Sequence, residues 1–268
     1  MNMILGIDIG GTKTLLGVFT SEGELQETVR FETPKSYTDF TESLKNNVVN
    51  LTAKDFQKTV VAAPGIIDRK RGVVLAFGNL SWTNIPLSED VERIVNCPVR
   101  LENDAKLAAL SEANLLKPVP HKVFYITIST GIGGGLILDG KIATDFEDTE
   151  VGHMLLEHSG RLMRWQDFAS GKAIVAKFGK KASEIDDEQT WYAVARNIAL
   201  GLIDIIATYQ PDVIVIGGGV GSHLEKFQPR LEELLRIYDN PLLRIPPIVK
   251  AQNSEQAVIY GCYRLAVT

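Results

Sequence analysis

Two kinds of residue in this chain stand where phosphate chemistry would need them: glycines in turns that follow apolar runs, and an aspartate at a strand-to-helix junction. The glycines lie in Gly10-Gly11-Thr12-Lys13-Thr14, in Ser129-Thr130-Gly131-Ile132-Gly133-Gly134-Gly135 and in Ile216-Gly217-Gly218-Gly219-Val220-Gly221. A turn without Cβ atoms lets backbone N–H groups approach an anion. In the first turn Thr12, Lys13 and Thr14 add hydroxyl donors and one positive charge. Asp8, at the end of the preceding strand, can hold Mg2+ directly or through water, because that ion takes oxygen ligands and keeps part of its hydration shell. The first two clusters would grip nucleotide phosphates through Gly10, Gly11, Thr12, Lys13, Thr130, Gly131 and Gly133. The third, Gly217, Gly218 and Gly219 with a helix just beyond, would give base and ribose a flat backbone surface. One such turn alone is as readily an ordinary hairpin. Three of them after three strands is a recurrence that a single structural turn does not require.

Two familiar nucleotide motifs are excluded. The P-loop needs four residues between its first glycine and a Gly-Lys pair, with a helix after it, and the segment after Lys13 reads as a strand. Neither later cluster completes the dinucleotide pattern G-x-G-x-x-G, which argues against hydride chemistry on a nicotinamide cofactor.

Asn103 and Asp104 form the strand-to-helix junction. Both are good N-cap residues, so capping is the default reading. The chemical reading is that Asp104 accepts the proton of a hydroxyl as that oxygen attacks phosphorus, while Asn103 orients the same substrate. Glu150 and His153, three residues apart in a short polar patch, are by default structural. As a site they would hydrogen-bond neighbouring hydroxyls of a polyol, each of which both donates and accepts. His121, His158 and His223 have no such arrangement and read as surface residues.

These residues need a scaffold of alternating strands and helices. Met3 to Ile9 and Thr14 to Thr20 read as a hairpin, and Val123 to Ser129 with Gly135 to Asp139 repeats the plan, each copy then reaching an acidic-Gly turn at Glu22-Gly23 or Asp139-Gly140. The repetition predicts two similar α/β units. Between and beyond them the pattern predicts helices over Phe40–Leu51, Asp104–Leu116, Gly171–Phe178, Trp191–Tyr209, Leu224–Ile237 and Glu255–Ala266. It predicts strands over Thr59–Ala63, Val99–Glu102 and Val213–Ile216. With no flexible linker, the division is expected near residue 115: a lobe over 1–115, completed by the C-terminal helix 255–268, and a larger lobe over 116–254.

The chain has 268 residues, 45% hydrophobic and 23% charged, enough for a sizeable core. A net charge of -5 gives no basic field for nucleic acid or an anionic membrane. Two cysteines far apart, Cys97 and Cys262, offer neither a disulfide framework nor a cysteine zinc site, and suit a reducing compartment. The first residues lack a basic n-region, and Asp8 interrupts their apolar run, so a strand is expected there and not a signal peptide. A soluble, cytoplasmic protein is the expectation.

Taken in order, these motifs resemble the ROK family (repressor, open reading frame, kinase) along the full chain. The resemblance is carried by Asp8 to Thr14, Ala62 to Gly65, Gly78 to Trp82, Glu102 to Ala105, Ser129 to Gly135, Glu150 to His153, Ala169 to Gly171 and Ile216 to Val220. It implies a two-lobed ribonuclease H-like α/β fold of the actin and hexokinase superfamily, with the active site in the interlobe cleft and closure of one lobe on the other. It implies a sugar kinase with Asp104 as base, sugar contacts from Gly65, Asn79, Asn103, Asp104, Glu150 and His153, ATP and Mg2+, and a homodimer. The family's repressors usually carry an N-terminal helix-turn-helix domain, for which a phosphate motif within ten residues of Met1 leaves no room.

Two departures stand out. Where the family usually has a cysteine-rich zinc loop, the segment from Glu157 to Gly171 has no cysteine. No zinc is expected, and Leu162, Trp165 and Phe168 are expected to order the loop. Gln166 stands where many members carry a sugar-binding glutamate. Glucose phosphorylated at its 6-hydroxyl is the leading expectation. Another hexose or N-acetylhexosamine (N-acetylmannosamine, N-acetylglucosamine, mannose, fructose), polyphosphate as donor, and a non-catalytic sugar sensor are the alternatives.

Overall fold

A computed structural model describes residues 3–253 and 256–268. The chain divides into two compact units, Met1–Ser111 with Gln256–Thr268, and Glu112–Glu255.

The first unit contains β1 (Met3–Ile9), β2 (Lys13–Thr20), β3 (Leu25–Glu32), α1 (Tyr37–Asn50), β4 (Phe56–Ala63), β5 (Gly65–Asp68), β6 (Val73–Phe77), β7 (Thr83–Ile85), α2 (Leu87–Val95), β8 (Val99–Asn103) and most of α3 (Asp104–Leu115). The second contains β9 (Lys122–Ile128), β10 (Ile132–Leu138), β11 (Lys141–Ile142), β12 (Leu155–His158), β13 (Arg161–Arg164), α4 (Trp165–Ala169), α5 (Gly171–Phe178), α6 (Glu188–Tyr209), β14 (Val213–Gly217), α7 (Gly218–Gly221), α8 (Leu224–Arg236) and β15 (Ile248–Lys250). The last helix, α9 (Ala257–Val267), returns to the first unit. Glu255, where the sequence pattern starts that helix, lies outside the described residues.

The main sheets repeat one plan strand for strand. In the first unit the order is β3-β2-β1-β4-β8, in the second β11-β10-β9-β14-β15. In each, two antiparallel pairings are followed by two parallel ones. The two hairpins turn at the same point of the plan but in different registers: four residues separate the last pair Ile9 and Thr14, and three separate Ile128 and Ile132. That second pairing starts β10 at Ile132, three residues before the expected Gly135, so Gly133 to Gly135 lie within the strand and the turn shrinks to Ser129-Thr130-Gly131. The smaller sheet β5-β6-β7 and the hairpin β12-β13 are additions to the repeated plan.

The helices form where apolar residues recur at helical spacing. Phe40, Leu44 and Val48 in α1, and Leu87, Val91 and Val95 in α2, each make one buried stripe. Ser36 caps α1 by accepting from the N–H of Asp39, and Asp187 caps α6 by accepting from Thr190 at 2.7 Å. Gln210 ends α6 in a left-handed conformation just before Pro211. By length and composition α6 could cross a membrane, but Val194, Ile198, Leu202 and Ile205 are buried in the core of the second unit. α9 lies against β1 and β2 where Gly6 and Gly17 pair directly. A Cβ at either would come within 3.1 Å of Ile259. Cys97 and Cys262 are both free thiols.

One close approach in the second unit decides whether a substitution helps or harms. A Cβ at Gly201 on α6 would lie 2.2 Å from the Trp165 ring. Helix propensity alone favours alanine over glycine by about 1 kcal/mol, whereas overpacking costs roughly 1–3 kcal/mol. Gly201→Ala should therefore lower the urea unfolding free energy. A gain in stability would show that the ring and the helix are not in contact.

Candidate active site

The strand registers gather the predicted residues at one edge of each main sheet. In the first unit Asp8, Ala62 and Glu102 are neighbours across the parallel strands β1, β4 and β8. Just past that row the chain leaves the sheet at Gly10, at Pro64-Gly65 and at Asp104. This is the carboxyl edge, where open α/β sheets bind ligands.

Asn103, not Asp104, caps α3. Its Oδ1 accepts from the N–H groups of Ala105 at 2.9 Å and Lys106 at 3.3 Å, and its Nδ2 donates to the Gly65 carbonyl at 3.3 Å. Asp104 Oδ1 accepts the adjacent Ala105 N–H, at 2.8 Å. Among the described residues its Oδ2 accepts no hydrogen bond, so an acceptor oxygen is left over for a substrate.

The first glycine turn is closed by Gly10 N–H donating to Lys13 O at 3.0 Å. Thr33 braces it, its hydroxyl donating to Gly10 O at 2.8 Å and its N–H to Thr12 O at 2.9 Å. Thr12 and Lys13 are exposed and open to an anion. Thr14 is not: it is fully buried, with its hydroxyl 2.9 Å from that of Thr33, which corrects its reading as a phosphate donor. The loop carrying Asn79 lies against this turn, since a Cβ at Gly11 would be 2.7 Å from that of Asn79. Gly78 N–H donates to Pro64 O at 3.3 Å, and the Trp82 indole donates to Lys35 O at 2.7 Å, which ties the loop down at both ends. Gly65 has φ +117°, and a side chain there would strike the Ala76 carbonyl at 2.0 Å.

Burial raises the pKa of Asp8 from 3.8 to about 7. The nearby Asp104 carboxylate adds to the rise and Arg30 opposes it. Burial also raises Asp104, against the Ala105 N–H and the positive charge of Lys106. Two carboxylates that each resist ionisation at a strand edge are a fitting seat for a divalent cation. Among the described residues no three His, Cys, Asp or Glu side chains gather into a metal cluster.

In the second unit Ser129 N–H donates to Gly131 O at 2.9 Å, and Ser129 O accepts the N–H of Gly171, at the start of α5, at 2.7 Å. Gly217 ends β14 beside Thr127. Gly218, at φ +82°, abuts the end of β9, where a Cβ would be 2.6 Å from Ile128 O. The second and third glycine clusters thus adjoin, with Gly219 facing open space. Gln166 Oε1 lies 3.0 Å from the Cβ position of Gly131 and 3.2 Å from that of Gly152. Its amide therefore stands between the turn carrying Thr130 and the segment Glu150–His153. There the His153 N–H donates to Glu150 O at 2.9 Å, and both side chains are exposed. Gly133 sits inside β10, paired with Thr127, rather than in the turn.

The model of the ROK family matches residues 4–268. This chain belongs to the ROK family. A glucokinase from Streptomyces coelicolor is 27% identical over 314 residues, covering 99% of this chain and 98% of the relative. An N-acetylmannosamine kinase from Vibrio vulnificus is 33% identical over 246 residues, covering 81% and 83%. The solved structure of a ROK family glucokinase from Streptomyces griseus in complex with glucose and AMPPNP matches with a TM-score of 0.82 at 26% identity, covering 98% of this chain and 99% of that one. The two-lobed ribonuclease H-like α/β fold is thus the fold of ROK sugar kinases.

Within this ROK chain the segment without cysteines is ordered by protein contacts. β12 and β13 pair around the left-handed residues Ser159 and Gly160. Trp165 is fully buried and its indole donates to Asn197 O at 3.0 Å, while Asn197 Nδ2 donates to Phe168 O at 2.8 Å. Leu162, expected to help, is instead 73% exposed, because the alternation of β13 points it away from the core. Sequence reasoning missed Thr33 and also Arg69, whose guanidinium binds Glu102. Neither stands in a motif, and only the folded registers bring them to the site.

The shift at Asp8 has a consequence for stability. With a folded pKa above the unfolded one, the folded state holds a proton that the unfolded chain has lost between about pH 4 and pH 7. Stability from this group is therefore full below about pH 4 and falls as pH rises through about 7. At about 1.36 kcal/mol per pH unit the loss is on the order of 4 kcal/mol. In EDTA, Asp8→Asn should be more stable than the parent at pH 8, and the advantage should shrink at pH 5. A difference that does not vary with pH would contradict the shift.

Proposed function

We propose that this ROK sugar kinase transfers the γ-phosphoryl group of ATP to the 6-hydroxyl of a hexose, glucose first, with Asp104 as the general base. The observation that carries the reading is the division of labour at the junction: Asn103 caps the helix, which leaves Asp104 Oδ2 without a donor among the described residues. A carboxylate whose pKa burial has raised is a stronger base than an exposed one, and better matched to taking a hydroxyl proton near neutral pH. Asn103 has a second amide hydrogen to offer the sugar, beside the main chain of Gly65. Asn79, Glu150 and His153 would take the remaining hydroxyls, and Gln166 would contribute from beside the phosphate turn. Gly10 to Lys13 and Thr130-Gly131 would hold phosphates, and Gly217 to Gly219 the base and ribose. Asp8 would hold Mg2+, which would supply positive charge to offset that of the phosphates.

A nucleotide donor is supported by the glucokinase structure with AMPPNP, and a hexose acceptor by the glucokinase relative. The more identical N-acetylmannosamine kinase supports a second reading in which the acceptor is an N-acetylhexosamine. The deciding assay is a panel of glucose, mannose, fructose, N-acetylglucosamine and N-acetylmannosamine, each with ATP and with polyphosphate. Phosphorylation of glucose with ATP is expected to lead. Sugar binding without turnover of any acceptor would leave a sensor. Gln166→Glu should move an acceptor or donor KM by about threefold or more, because a neutral amide becomes a charge beside a phosphate turn. Unchanged constants would place that side chain away from the ligands.

A further inference from the structure

Glu102, the residue before Asn103, has a side chain only 3% exposed, and Arg69, its partner, is 18% exposed. A carboxylate so deeply placed must be paired and hydrogen-bonded to be tolerated. Arg69 Nε lies 3.0 Å from Oε2 and 3.2 Å from Oε1, and Nη2 lies 2.6 Å from Oε1. The same Oε1 accepts the main-chain N–H of Asn103 at 2.7 Å, and Asn103 Nδ2 in turn donates to Gly65 O at 3.3 Å. Gly65 starts β5 and Arg69 directly follows its end. The contacts therefore close a ring that runs from Gly65 along β5 to Arg69, across to Glu102, on to Asn103 and back to Gly65.

We infer that Arg69 is a positioning residue for the acceptor sugar: through Glu102 it fixes the main chain of Asn103, and with it the amide that spans Gly65 and the start of α3. The inference rests on the kinase reading above, since Asn103 and Gly65 are its acceptor-side residues. The guanidinium fork matters because it meets both carboxylate oxygens while one of them also receives the Asn103 N–H. A lysine ammonium is a single point of charge and cannot present that fork.

The test compares Arg69→Met, Glu102→Gln and the double variant by steady-state kinetics and by calorimetric binding of the acceptor sugar. Each single change should raise acceptor KM and Kd about tenfold, as small misplacements of positioning groups do, with nucleotide KM changed less than about twofold. The double variant should be no worse than the poorer single one in acceptor KM, because both single changes break the same Arg69–Glu102 contact. Arg69→Lys should recover part of the loss. A purely structural role would lower Tm and the active fraction and leave the acceptor KM of the surviving enzyme unchanged. That result, or additive effects on acceptor KM, overturns the inference. Should Arg69→Met not fold, Glu102→Gln and Arg69→Lys make the same comparison. Failure of the kinase reading would show separately, as a parent enzyme that phosphorylates no acceptor, and acceptor Kd would still decide the role of Arg69.

Discussion

Two carboxylates, Asp8 and Asp104, are held near each other at the carboxyl edge of one sheet, where burial opposes the charge of both and the Asp104 carboxylate further opposes that of Asp8. Much of the first unit keeps them there. The register of β1, β4 and β8 sets the row from which they emerge. Asn103 takes over helix capping, and Thr33 braces the turn after Asp8. Just past β5, Arg69 compensates the third carboxylate, Glu102, so that it adds a clamp rather than another unpaired charge. A sheet made rigid by paired strands, with α9 laid on Gly6 and Gly17, supplies the support. Groups held against their own preference in this way are characteristic of sites that bind or react.

The second unit uses the same strand plan for the opposite electrostatic end. Asp8 is the penultimate residue of β1, and Thr127 is the penultimate residue of β9. At that edge the second unit places Ser129 to Gly131, Gly171 and Gly217 to Gly219, whose contacts are main-chain atoms lying close together. One copy of the scaffold thus concentrates acidic oxygens. The other offers neutral backbone surface suited to an anion. Repetition of a fold with divergence at the strand ends thus gives each unit an edge of its own chemical character.

The repeated plan was legible because both hairpins are apolar and both end in glycine turns, and the chemical residues were legible because they stand in short motifs. What escaped lacked local signal. β3 alternates half-buried and exposed residues over Leu25–Glu32 and has no continuous apolar run. The start of β10 was hidden because Ile132 to Gly134 read as turn, when the bare backbone of Gly134 serves close packing against Val151. Asp104 looked like a cap until Asn103 was seen to fill that role. The hairpin β12-β13 was announced only by Ser159-Gly160, in a segment expected to be a loop. Arg69 and Glu102 are 33 residues apart, and nothing in either neighbourhood declares the pair.

The assignment of Asp104 as base is the centre of this account, and its most direct measurement is Asp104→Asn assayed for sugar binding and turnover together. The amide keeps the shape and the bond from Ala105 but cannot accept a proton into a carboxylic acid. Calorimetry should show acceptor affinity close to that of the parent, while kcat falls by roughly 10²- to 10⁴-fold, the usual contribution of a general base. Turnover near the parent level, with the protein folded, would contradict the assignment.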